Sequence, residues 1–173
     1  MDNNLIDNEA WVNEITNIIT NARNNVIKNI NNELINAYWN IGRIIVEDEL
    51  KSKRGEYGKK QLLTLSKTLT NKFGKGFSRA NLQNMWLLYL KYPICQTLSS
   101  KLSWSHYCEL LYISDDDKRN FYEKEAINAK WSVRELKRQI SSSLFERLLL
   151  SNGDANKKKV LELALKGNEI AKS

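Results

Sequence analysis

Apolar residues recur at steps of three and four along almost the whole chain, and strand-like alternation is almost absent. Trp11, Ile15, Ile18, Ile19, Ala22, Val26 and Ile30 make one such series and predict a long amphipathic N-terminal helix. The pattern resumes with Leu34, Ile35, Tyr38, Trp39, Ile41 and Ile45. Between the two, Asn29–Asn32 is a candidate break, because Asn competes with the helix for backbone hydrogen bonds.

A second helix is expected from about Gly58 to Phe73, with Leu62, Leu65, Leu69 and Phe73 on one face and Gly74 as its left-handed cap. Ser78 is placed to cap a third helix that reaches Lys91, with Phe77 and Leu82 as its hydrophobic staple and Pro93 just past its end. A short helix follows Ser103. Another starts at Ser114, with Asp115, Asp116 and Asp117 in its first turn, where acids favour the helix dipole. Ser132 and Glu135 have capping-box spacing, Trp131 and Leu136 staple spacing, and that helix is expected to reach Leu150. Ser151-Asn152-Gly153-Asp154 reads as a linker before a last weak helix, Val160 to Leu165. The expected fold is all-α: one domain of six or seven helices over residues 1–150, with a helix-turn-helix-like pair, and a linker with a short helix over 151–173.

Composition narrows the class. The 173 residues are 42% apolar and 27% charged, as in a soluble globular domain with a real core. No apolar run reaches the ~18 residues of a membrane span, and the N-terminus lacks the basic start and apolar core of a secretory leader. Cys95 and Cys108 stand alone, as free thiols do in a reducing cytoplasm.

Charge singles out one segment. Residues 51–79 carry nine Lys or Arg against one acid, +8, while the whole chain is +7 and residues 1–50 sum to −5. The excess positive charge therefore sits on the helix-turn-helix outline. Lys51, Lys53 and Arg54 precede the second helix, Lys59, Lys60 and Lys67 lie on its polar side, and Lys72 and Lys75 flank the turn. Arg79, Asn81, Gln83 and Asn84 open the third helix. In a helix-turn-helix reader the first residues of the second helix of the pair reach base edges while flanking cations hold phosphates. Arg can grip guanine, and Asn or Gln adenine, through two bonds each. DNA is thus the expected partner. The plain alternative is a solvated cationic face, since glycine-joined helix pairs are common in all-α proteins.

Other constellations are weaker. Glu49-Leu50-Lys51 matches a nuclease tripeptide but lies at a helix end beside Glu47 and Asp48, with no strand nearby. The Asp triplet is explained by its helix start. His106 is the sole histidine, which with two unpaired cysteines makes no zinc site and reads as a half-buried, satisfied side chain. Gly74-Lys75-Gly76 has no preceding strand to make a phosphate cradle. The five tryptophans, Trp11, Trp39, Trp86, Trp104 and Trp131, read first as packing residues and only second as base-stacking platforms. No metal or other cofactor is implied.

Five segments in order, Tyr38-Trp39-Asn40-Ile41-Gly42-Arg43, Glu56-Tyr57-Gly58-Lys59-Lys60, Gly76-Phe77-Ser78-Arg79-Ala80-Asn81-Leu82, Leu102-Ser103-Trp104-Ser105-His106-Tyr107 and Trp131-Ser132-Val133-Arg134-Glu135-Leu136, resemble the N-terminal domain of the YhcG-like bacterial proteins. The resemblance covers roughly residues 10–150 and implies a helical domain of unknown function that precedes a nuclease domain of the PD-(D/E)XK type. It implies that the catalytic half lies outside this sequence, so no catalytic or metal-binding residue is carried over, and this chain alone is not expected to be an enzyme. A DNA-binding or positioning role for the absent nuclease is the reading that follows. The alternative is an oligomerisation or docking module in which the N-terminal helix takes a second copy or another protein as partner.

Overall fold

The computed structural model describes the backbone of residues 3–52, 55–151 and 162 and the side chains of residues 12–47, 61–150 and 162. Seven α-helices and no strand are found among the described residues: α1 (Asn3–Ser52), α2 (Gly55–Phe73), α3 (Arg79–Lys91), α4 (Trp104–Leu110), α5 (Asp116–Asn128), α6 (Val133–Ser141) and α7 (Leu144–Ser151). A short 3-10 turn, Cys95–Thr97, joins α3 to α4. The all-α expectation is met.

α1 does not break at the asparagines. It runs unbroken through Asn29–Asn32 over 50 residues, because each Asn costs a helix only up to ~0.7 kcal/mol and the apolar steps continue across it. The helix expected from Ser132 to Leu150 is instead two, α6 and α7, parted where Ser143 takes a left-handed conformation at φ 54. Three successive serines, Ser141–Ser143, give that stretch low helix preference. α2 starts three residues earlier than expected, and α5 is capped by the Asp115 side chain, which accepts from the Lys118 N–H at 2.9 Å. The expected helix at 160–165 lies outside the described residues, Glu162 excepted.

The core has two parts. The larger gathers Ile35 of α1, Leu88 and Tyr92 around α3, Tyr107 and Leu110 of α4, Phe121 and Tyr122 of α5, Leu136 of α6 and Phe145 of α7. The smaller joins Ile45 of α1, Leu62 of α2, and Leu82 and Met85 of α3. Tyr38 and Trp104, in edge contact at 4.7 Å, bridge the two. α3 is therefore the central helix, and α1 crosses it at Gly42. A Cβ at Gly42 would stand 2.0 Å from the Met85 carbonyl oxygen, so only glycine admits this approach. Tyr92, Glu123 and Arg119 are partnered inside the larger core. The Tyr92 hydroxyl donates to Glu123 at 2.9 Å, and the Arg119 guanidinium donates to Asp116 and to the Ile113 carbonyl while lying 5.6 Å from the Tyr92 ring.

Local caps fix where the helices of the body begin. Ser132 accepts from the Glu135 N–H at 3.2 Å, but the Glu135 carboxylate does not return to the cap; it accepts from Arg138 and Gln139. The reciprocal box forms at α4 instead. His106 Nδ1 accepts from the Ser103 N–H at 3.2 Å, and Nε2 lies 2.9 Å from the Trp131 carbonyl oxygen. One imidazole thus ties the start of α4 to the start of α6, and this is the tautomer with its proton on Nε2.

Candidate nucleic-acid interface

The turn between α2 and α3 is built by its own sequence. Gly74 and Gly76 take positive φ, 81 and 120, and Gly74 donates back to the Thr70 carbonyl to close α2. Ser78 caps α3 by accepting from the Asn81 N–H at 3.2 Å. Buried Leu82 and half-buried Phe77 meet in the smaller core as the expected staple. Two further bonds hold the turn onto the body. The Ser66 hydroxyl donates to the Phe77 carbonyl at 2.8 Å, and the Asn81 amide donates to the Gly76 carbonyl.

Around this turn stand Lys67, Lys72, Lys75 and Arg79, all exposed. None forms an ion pair with another described residue; the same holds for Lys101, Lys124, Lys130 and Arg134 elsewhere in the body, whereas Arg43, Lys118, Arg119, Lys137 and Arg138 are each paired with an acid. Lys67 lies within α2, Lys72 closes it, Lys75 is in the loop and Arg79 opens α3, so four cations follow one another along α2, the loop and the start of α3. Lys59 and Lys60 lie on α2, but their side chains, like that of Lys51, are outside the described residues, as are Lys53 and Arg54 altogether.

The remaining candidates are placed differently. α3 buries Leu82, Met85 and Leu88, and beyond its first two residues only Leu90 is exposed. Asn81 is half-buried, and its carbonyl oxygen accepts from the Trp104 indole at 2.9 Å while its amide is spent on Gly76. Asn84 donates to the Cys108 sulfur at 3.4 Å and accepts from the Tyr112 hydroxyl at 2.8 Å. Gln83 is half-buried beside them. A helix lying in a groove needs an open face along its length, and α3 offers only its N-terminal tip. The roles of Ser66 and Trp104 in positioning this corner are not readable in the sequence, because their partners, Phe77 and Asn81, lie 11 and 23 residues away.

No described group at the corner is poised to react. Burial pushes the Cys108 thiol up, against the hydrogen bond from Asn84, and burial also raises Tyr38 against its bond to Asn81. Among the described residues no group of three His, Cys, Asp or Glu could hold a metal, and Glu49 lies within α1 rather than on a strand. The tryptophans of the body are engaged: Trp39 donates to the Tyr92 carbonyl at 2.7 Å, Trp104 to Asn81, Trp86 packs against the smaller core and Trp131 is buried in the larger. The Trp11 side chain is outside the described residues. No described helix is long and apolar enough to cross a membrane.

Residues 14–147 match the family described as the DUF1016 N-terminal domain. The chain is 35% identical, over an alignment of 171 residues, to a protein of Escherichia coli (strain K12) named "Putative nuclease YhcG". That alignment covers 80% of this chain and 46% of the relative, so the chain spans less than half the length of the curated relative it matches. No solved structure matches.

Proposed function

This chain belongs to the DUF1016 N-terminal domain family, and from that premise we propose that it holds DNA for a nuclease module borne by the rest of its full-length relatives. The observation that carries the reading is the corner of four exposed cations, Lys67, Lys72, Lys75 and Arg79, on a turn fixed by its own caps. Lys53, Arg54, Lys59 and Lys60 belong to the same segment of the sequence and are included in the proposal. Cations with no acid partner among the described residues are free to displace counterions from phosphates, which is the main term in sequence-independent DNA affinity. The half-buried placement of Asn81, Gln83 and Asn84 favours phosphate contact over base reading. Arg79, at the open tip of α3, is the one candidate of the corner with a path to base edges. The chain itself supplies no chemistry in this proposal; cleavage belongs to the other module.

The test is fluorescence anisotropy of labelled duplexes with the parent chain and with Lys67→Glu plus Lys72→Glu. Both sites are exposed, so stability should move by less than ~0.5 kcal/mol. The expected result is loss of binding with an unchanged urea melt. Binding as tight as the parent's would reduce the corner to a solvated face.

A second reading, an oligomerisation or docking module, is favoured by one observation. The N-terminal part of α1 leaves Val12, Ile15, Ile18, Ile19, Val26 and Ile30 between 44% and 62% exposed, with no described residue over them.

A further inference from the structure

The exposed apolar side of α1 is longer than the N-terminal arm. Leu34 and Ile44 are 38% and 58% exposed, Ala22 and Ala37 are exposed, and Ile41 is half-buried. With ~3.6 residues per turn, Val12, Ile15, Ile19, Ala22, Val26, Ile30, Leu34, Ala37, Ile41 and Ile44 fall on one side of α1. Ile35, Trp39, Gly42 and Val46, which α1 gives to the body, fall on roughly the opposite side; Tyr38 and Ile45 enter the core from between the two sides, and Ile41, within the stripe, packs against the smaller core. The stripe from Val12 to Ala37, and Ile44, is therefore not an overrun of the core-facing side, while Ile41 is shared with the smaller core.

Ile18 and Ile27, 62% and 58% exposed, lie off either edge of this stripe, and the spacing of the stripe between them is symmetric. From Val12 to Ile44 the steps are three, four, three, four, four, four, three, four, three, the same read from either end, with Lys28 at the centre. An isologous two-fold pairing requires a surface that complements itself in this way. Laid antiparallel on its own copy and centred at residue 28, the stripe sets Val26 against Ile30, Ala22 against Leu34 and Ile19 against Ala37. Each alanine then faces a large aliphatic residue. Val12 and Ile15 reach Ile44 and Ile41 at the ends. Lys28 itself lies on the far side of the helix, so the two central lysines do not meet.

Area and charge agree with that occupant. Seven aliphatic side chains of the stripe stand 38–60% exposed; together they offer on the order of 700 Å² per copy, near the ~800 Å² each partner contributes to a standard interface. Over residues 12–44 two acids, Glu14 and Glu33, stand against Arg23, Lys28 and Arg43, so two copies bring no strong repulsion. The described cations of the α2–α3 corner, Lys67, Lys72, Lys75 and Arg79, lie on other elements.

We infer that α1 pairs with α1 of a second copy of this chain, antiparallel, in the register centred on residue 28. The inference rests on the second reading above, not on the DNA reading. In this arrangement the two bodies sit toward opposite ends of the paired helices, and each dimer presents two cationic corners.

Light scattering across micromolar concentrations gives the first test, and the expected mass is that of a dimer. Ile19→Asp with Val26→Asp should return a monomer with unchanged helical circular dichroism, since both positions are exposed. A spin label at Asn13→Cys, with Cys95→Ser and Cys108→Ser, fixes the register. The two labels should stand about 45–50 Å apart, from ~1.5 Å of rise per residue, whereas a parallel pair would leave less than half that distance. A monomer at every concentration, a dimer that survives both aspartates, or the short distance would each overturn the inference. Anisotropy on the parent chain keeps the two readings apart: DNA binding by a parent that stays monomeric would sink the pairing and leave the DNA reading standing.

Discussion

The two halves of α1 obey the same periodicity and meet opposite fates. Between Ile35 and Val46 the helix is driven into the body: Ile35, Ile45 and Val46 are at most 8% exposed, and Gly42 lets the Met85 backbone approach. From Val12 to Ile30 every residue is exposed, large aliphatic ones such as Ile18, Ile27 and Ile30 included. Periodicity therefore announces a helix but not what covers it. Burial depends on where along α1 the body packs, and among the described residues it covers only the stretch beyond Ile30.

Substitutions can break this contrast, from the largest effect to the smallest. Trp131 is 9% exposed in the larger core and precedes the cap of α6. Trp131→Ala should cost ~3–5 kcal/mol in a urea melt. Gly42→Ala should cost about 3 kcal/mol, because its Cβ meets backbone rather than a side chain that could turn away. His106→Ala removes the link between the starts of α4 and α6 and should cost ~1–2 kcal/mol. On the arm, Ile19→Ala measured at low protein concentration should cost less than ~0.5 kcal/mol. If Ile19→Ala proved as costly as Gly42→Ala in a monomer, the contrast between the two halves would be lost.

Glu123 sharpens the account of the body through pH. Burial holds its carboxyl above the ordinary value, against the hydrogen bond from Tyr92 and the charges of Lys124 and Arg119. A folded-state value above the unfolded one means the folded protein binds the proton more tightly. Its contribution is therefore complete below the ordinary carboxylate value and is lost as pH rises through the raised one. Relative to the parent, Glu123→Gln should show a flatter decline of stability across that window. An identical pH profile for the two proteins would remove Glu123 from the buried polar group with Tyr92.

What can be read from the sequence is local. Gly74, the Phe77–Leu82 staple and the Ser78 cap announce the α2–α3 turn because every partner lies within a few residues. The continuity of α1 through Asn29–Asn32 is not readable, since a run of weak helix formers is decided by the rest of the helix. The break at Ser143 lacks the Gly or Pro that usually marks one. His106 at the third position of α4 takes the place where a capping box has Glu or Gln, a signal that Ser103-x-x-His106 carries only once its geometry is known. A lone glycine inside a helical pattern points to close packing, and at Gly42 the Met85 backbone supplies the reason. For the candidate interface, the cations are legible as charge. The engagement of Asn81 and Asn84 is not, because Trp104, Cys108 and Tyr112 reach them from more than twenty residues away.

The central claim, that the corner of α2 and α3 holds DNA by its phosphates, is tested most directly by the salt dependence of binding. If Lys67, Lys72, Lys75 and Arg79 each meet one phosphate, the logarithm of affinity for a B-form duplex should fall against the logarithm of salt with a slope of about −3.6 or steeper, from ~0.9 per contact. Lys75→Ala should lower that slope by about one, and to the same degree on duplexes of different sequence. A slope near zero, or one that Lys75→Ala leaves unchanged, would contradict the account.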